Sequence, residues 1–286
     1  MSQQQVWFIT GSSRGLGRAL AEAALAAGHR VVATARKPEQ LDDLVRKYGE
    51  QIRPVALDVT DADGARAAVL GAAEAFGRLD VVVNNAGYGD MASVEDVTDA
   101  DFRAQIDTNF YGVYHVTRAA LPILRGQGSG HIIQISSVGG RVTTPGLAAY
   151  QSAKFAVEGF SEVLSKEVAP LGIKVTLIEP GGLRTDWMGS SMTIPPISEP
   201  YERTVGALAA MRQEYEPPGD PVKAAAVILG LTTLDEPPLR LLLGKDAVQH
   251  AATVDRARTE SDARWRELSE SIAFDTTASV APVPGL

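Results

Sequence analysis

Two side chains one helical turn apart carry the most specific chemistry in the sequence. In Tyr150-Gln151-Ser152-Ala153-Lys154 the phenol and the ammonium fall on one helix face. A neighbouring cation favours phenolate and draws a tyrosine pKa down from about 10. A tyrosine tuned in that way can pass a proton to or from a carbonyl or alcohol oxygen. A second cluster stands near the N-terminus, Thr10-Gly11-Ser12-Ser13-Arg14-Gly15-Leu16-Gly17. Its glycines allow a tight turn and a close backbone approach to a pyrophosphate, which would then meet a helix N-terminus. About 20 residues further on, NAD-binding folds usually place an acid for the ribose 2′-hydroxyl. Here the chain reads Ala33-Thr34-Ala35-Arg36, with no carboxylate before Glu39. Arg14 and Arg36 could instead clamp a 2′-phosphate, so the residues favour NADP(H) over NAD(H).

The elements that must position these groups follow from the alternation of short β-branched runs with longer amphipathic ones. Strands are expected over 6–10, 30–34, 52–57, 80–83, 131–136, 173–179 and 240–243. Helices are expected over 16–27, after Pro38, and over 61–76. Thr98 with Asp101 caps a long helix reaching 121, and others cover 150–168, a stretch from Asp220-Pro221, and about 247–271. Strands separated by helices pair in parallel through right-handed crossovers. The expected architecture is α/β: a Rossmann-type, doubly wound parallel sheet of about seven strands with helices on both faces. The chain, 1–286, reads as a single dinucleotide-binding and catalytic domain. Within it, 183–219 is a proline-rich lid loop with a short helix, 245–275 a charged C-terminal helical extension, and 276–286 a flexible tail.

These motifs, taken in order, resemble the short-chain dehydrogenases/reductases over nearly the whole chain. The glycine run is followed by Asp58-Val59, by Asn84-Asn85-Ala86-Gly87, by Asn109 and Ser137, and by Tyr150 with Lys154 and then Pro180-Gly181. Ser137 stands 13 residues before Tyr150 and Asn109 stands 41 before it, as in that family. The resemblance implies that Tyr150 is the general acid/base and that Lys154 lowers its pKa while bonding the nicotinamide ribose. It implies that Ser137 holds the substrate oxygen and that Asn109 organises a helix bend and a water in the proton relay. Ser136 would pack the strand end. Gly11, Ser13, Arg14, Gly15, Leu16, Gly17 and Arg36 would hold the phosphates. Asp58 and Val59 would hold the adenine, and Asn85, Ala86 and Gly87 would shape the cleft. Pro180, Gly181 and Thr185 would flank the nicotinamide. The implied activity is NADP(H)-dependent interconversion of a ketone or aldehyde and an alcohol. A non-catalytic NADP(H)-binding sensor or scaffold of the same fold is the alternative.

The lid carries Leu183, Trp187, Met188, Met192, Ile194 and Ile197, which suits either a hydrophobic substrate or packing of the loop onto the domain. Tyr88, Trp187 and Met188, with Ser137, are the candidate substrate contacts. The C-terminal extension looks like that of members related to retinol and 17β-hydroxysteroid dehydrogenases. Composition excludes other classes. There is no cysteine, hence no disulfide or thiolate chemistry, and the four histidines are dispersed, against a metal cluster. A formal charge of −8 opposes nucleic-acid binding. No apolar run is long enough to span a bilayer, and no signal peptide is evident. A cytoplasmic protein is expected on these grounds, and a homodimer or homotetramer from the resemblance.

Overall fold

The structure, a computed structural model, describes residues 4–188 and 191–274, leaving aside the side chains of Met188 and Gln213. The expected tail, 276–286, lies outside the described residues, as does the Met188 side chain proposed as a substrate contact.

Four buried residues form β1, Val6–Ile9, and their alternation divides the core. Trp7 and Ile9 enter one hydrophobic cluster, and Phe8 enters another on the opposite face. The remaining strands are β2 (Arg30–Ala35), β3 (Ile52–Ala56), β4 (Val81–Asn84), β5 (Gly130–Ile135), β6 (Ile173–Pro180) and β7 (Arg240–Leu243). They form one seven-stranded sheet in the order β3-β2-β1-β4-β5-β6-β7. Every pairing is parallel. This is the doubly wound sheet that the alternation predicts.

The Trp7 side is covered by α1 (Gly15–Ala26), α2 (Asp42–Tyr48) and α8 (Pro221–Leu231). The Phe8 side is covered by α3 (Ala62–Phe76), α5 (Gly112–Gln127) and α6 (Ala148–Val168). The starts are capped as their sequences suggest. The Asp61 carboxylate accepts the Asp63 and Gly64 N–H groups, and Asp220 caps α8 ahead of Pro221. Among the described residues no helix is long and apolar enough to cross a membrane.

Three expectations need correction. The helix started by Pro38 opens as a 3-10 turn, Pro38–Leu41, before α2. The long helix expected to reach 121 is three pieces: α4 (Asp99–Ile106), a π turn (Asp107–Tyr111) and α5. A π turn holds one extra residue per turn and leaves no mark in an apolar period. α5 also continues through Pro122, because Leu124 beyond it is fully buried against the Phe8 cluster. The proline-rich stretch holds α7 (Ala207–Glu214), and α9 (Lys245–Glu270) forms the charged C-terminal helix.

Candidate active site

Loops leaving the carboxyl ends of β1 to β6 converge on a cavity of about 1080 Å³. It lies where the strand order reverses between β1 and β4, the usual crevice of an open parallel sheet. The glycine loop forms its floor. Gly11 and Gly15 take φ of +66° and +58°, conformations that L side chains rarely adopt. A Cβ at Gly17 would collide with the Gly11 carbonyl oxygen and with Asn85 Nδ2. Gly17 is therefore buried packing beneath the loop and, unlike the other glycine-loop residues proposed from sequence, does not line the cavity.

The loop is held from the far side of β1. Thr10 Oγ1 accepts the N–H groups of Asn85 and Ala86 at 2.9 Å each. Asn85 Nδ2 donates to the carbonyls of Thr10 and Gly11 at 2.9 and 3.1 Å. Asn85 thus borders the cavity while its amide fixes the turn. Asp58 is partly engaged too: its Oδ1 accepts from the Thr60 N–H and hydroxyl at 3.0 and 2.8 Å. Ser13, Arg14, Leu16, Arg36, Val59, Ala86, Gly87, Pro180, Gly181 and Thr185 also line the cavity.

The polar wall comes from β5, the π turn and α6. Ser137 caps the 3-10 turn Val138–Gly140, its hydroxyl accepting the Gly139 N–H at 2.9 Å. Lys154 Nζ donates to the Ile135 carbonyl at 2.9 Å and lies 5.6 Å from the centre of the Tyr150 ring. Burial pushes the Lys154 pKa down to about 8, opposed by the Glu158 charge. The Tyr150 phenol is not drawn below 10 as the Tyr–Lys spacing predicts: burial pushes it up to about 12, opposed by the Ser137 hydroxyl. Asn109 Nδ2 donates to the Tyr88 and Gln105 carbonyls at 2.8 Å each, and its buried Oδ1 has no partner among the described residues. A Cβ at Gly87 would come within 2.5 Å of that Oδ1 and 3.7 Å of Lys154 Nζ, so the glycine keeps open the space between them.

Trp187 packs on Tyr150 at 5.0 Å between ring centres, and Tyr88 lines the same region. Several lining residues were not anticipated: Met91, Leu147, Leu208, Arg212, Asp246 and His250. They come from segments far apart in sequence, and no local spacing marks them.

The residues present fit a bound dinucleotide. The glycine cradle would be filled by any side chain, and the first turn of α1 carries no acid to repel a pyrophosphate. The exposed Arg14 and Arg36 stand at the cavity edge, and Asn109 keeps a free acceptor.

Fold and site together define a Rossmann-type nucleotide-binding architecture, and comparison narrows it. A family model described as short chain dehydrogenase matches residues 5–193. The chain belongs to the short-chain dehydrogenase/reductase family and is an oxidoreductase of that family. It is 57% identical over 268 residues to Oxidoreductase BOA17 of Botryotinia fuckeliana, covering 93% of this chain and 98% of that one. A short-chain dehydrogenase from Streptomyces avermitilis shares the fold with a TM-score of 0.90 at 39% identity, over 95% of this chain and 100% of that one. A Burkholderia phymatum family member was solved with NAD (TM-score 0.79, 25% identity, 92% and 95% coverage). A Burkholderia cenocepacia one was solved with NADP (TM-score 0.73, 26% identity, 92% and 97% coverage).

Proposed function

We propose that the protein interconverts a ketone or aldehyde and its alcohol with NADP(H), Tyr150 acting as general acid/base. The observation that carries this reading is the meeting of Ser137, Tyr150, Lys154 and Asn109 on one wall of the dinucleotide-sized cavity. When bound, the nicotinamide supplies or accepts the hydride. In reduction the Ser137 hydroxyl holds the carbonyl oxygen and the Tyr150 phenol gives it a proton; in oxidation the proton moves the other way. The raised Tyr150 pKa keeps the phenol protonated at neutral pH, the state reduction needs. Lys154, still largely cationic there, supports the phenolate left behind. The space kept by Gly87 between Asn109 and Lys154 gives the proton a route to a water.

The preference for NADP(H) is supported by Arg14 and Arg36 at the cavity edge and by the lack of an acid at the end of β2. A hydrophobic substrate is supported by Met91, Leu147, Trp187 and Leu208 in the lining, with 183–219 acting as its lid. Met188 remains a proposed contact. The whole chain is read as one catalytic unit. Exposed apolar Tyr111 and Val163 support self-association through the π turn and α6. The lack of cysteine suits a cytoplasmic setting.

The test is NADPH consumption over a panel of aldehydes and ketones, with Tyr150→Phe beside the parent. The variant should lose about 100- to 10,000-fold in rate while binding NADPH with unchanged affinity. Undiminished turnover would remove Tyr150 from the role. NADPH binding by a parent inert toward every carbonyl would describe a sensor instead.

A further inference from the structure

One arginine in the cavity differs from the other partly buried arginines of the fold. Arg18 is paired with Glu22 and Asp43, Arg141 with Glu179, and Arg240 with Glu158 and Glu162. Arg212, on α7 within the segment covering the cavity, makes no ion pair among the described residues. Its Nη2 is buried without a hydrogen-bond partner. Its guanidinium lies 5.4 Å over the Trp187 ring, and Trp187 in turn lies 5.0 Å from the Tyr150 ring. All three side chains line the same cavity.

Of the carboxylates that share this lining, Asp58, Asp90, Asp186 and Asp246, none forms an ion pair with Arg212 among the described residues. Asp90 accepts the Thr193 N–H at 2.7 Å, and Asp246 accepts the Gly182 N–H at 2.7 Å. Asp186 is exposed and forms no ion pair with Arg212. A guanidinium with a buried, unbonded N–H is unfavourable unless an acceptor arrives, and its planar fork matches a carboxylate. The same cavity is also lined by the apolar Met91, Leu147 and Leu208, which suit the hydrocarbon body of a molecule whose anion meets Arg212.

We propose that Arg212 is the anion-recognising residue of the substrate site, so that the preferred substrate is an apolar oxo acid or hydroxy acid. Its carboxylate would reach Arg212 across the Trp187 face while its carbonyl or hydroxyl reaches Tyr150. The proposal rests on the reading of Tyr150 as the reacting end of the site. Arg212 acts as a specificity residue and takes no part in the proton transfer.

The test uses a graded set of aliphatic oxo acids, differing in the number of carbons between ketone and carboxylate, each beside its methyl ester. Binding is measured by calorimetric titration of the NADPH-loaded protein, and turnover by NADPH consumption. The parent should bind and reduce one acid of the set at least 10-fold better than its ester. Arg212→Met keeps an unbranched side chain of similar length while removing the guanidinium over Trp187; it should lose about 10- to 100-fold on the acid and leave the ester and the NADPH affinity unchanged. Arg212→Lys should recover part of the acid preference. Equal loss on acid and ester would reduce Arg212 to a support for the lid. A parallel loss of NADPH affinity would assign it to the cofactor, and a parent indifferent to the carboxylate would overturn the proposal. If the acid binds in the Arg212-dependent way and no ketone is reduced, the anion site stands and the reductase reading falls.

Discussion

Arg36 stands exposed at the end of β2, where the chain offers a cation and no acid. A 2′-phosphate placed there gains a charge-assisted contact that a 2′-hydroxyl cannot use. We expect Arg36→Ala to weaken NADPH about 10- to 100-fold and NADH hardly at all, measured by fluorescence titration of each cofactor. Equal weakening of the two would take Arg36 out of that role. At this scale the sequence was informative where chemistry forces a local pattern. Tyr150 and Lys154 had to share a helix face, and the glycine loop had to hold residues free to take positive φ. It was silent where a group is defined by what surrounds it. Nothing near Arg212 in the sequence says that its guanidinium will be buried without a carboxylate. Nothing near Asp246 says that it will accept the Gly182 N–H from a segment 64 residues away.

Among the elements, α9 reaches back to the turn that carries Ser137. Arg141, at the end of that turn, pairs with the fully buried Glu179 at 2.8 Å and with Asp255 of α9 at 3.6 Å. Arg258 of α9 donates to the Arg141 carbonyl at 2.6 Å. The exposed contacts of this clamp contribute little, whereas the buried one matters. Arg141→Leu would strip one cation from Glu179, leaving Arg240 at 3.4 Å, and should destabilise the fold by less than the roughly 3 to 5 kcal/mol that follows loss of a buried charge's last partner. A denaturant midpoint equal to the parent's would show that Glu179 does not depend on that charge. The strands were legible because a sheet covered on both faces demands continuous apolar runs. The breaks inside helices were not, since both the π turn and the passage through Pro122 are decided by packing around Asn109 and Leu124.

For the molecule as a whole, two buried titrating groups pull the stability curve in opposite directions. Burial, and then the Glu158 charge, push the Glu179 pKa up to about 7 from 4.5. The folded protein thus holds that proton more tightly than the unfolded chain, and the associated stability is present below pH 4.5 and lost as pH rises toward 7. Burial pushes His131 down to about 4 from 6.5, so its contribution is lost as pH falls through that interval. Glu179→Gln should remove the first dependence alone. The difference in unfolding free energy between parent and variant should then drift between pH 4.5 and 7, and parallel curves would refute it. A different consequence follows from the bridge between Leu183 and Gly219. The Gly219 N–H donates to the Gly182 carbonyl at 2.9 Å, and the Arg184 N–H donates to the Gly219 carbonyl at 2.9 Å. The two ends of the intervening segment therefore lie side by side, and lengthening such a closed loop costs little. The segment is a natural cassette for remodelling the ceiling of the cavity, provided an exchange keeps partners for Asp90, Met91 and Asp96, which Thr193 and Ser198 meet from inside it.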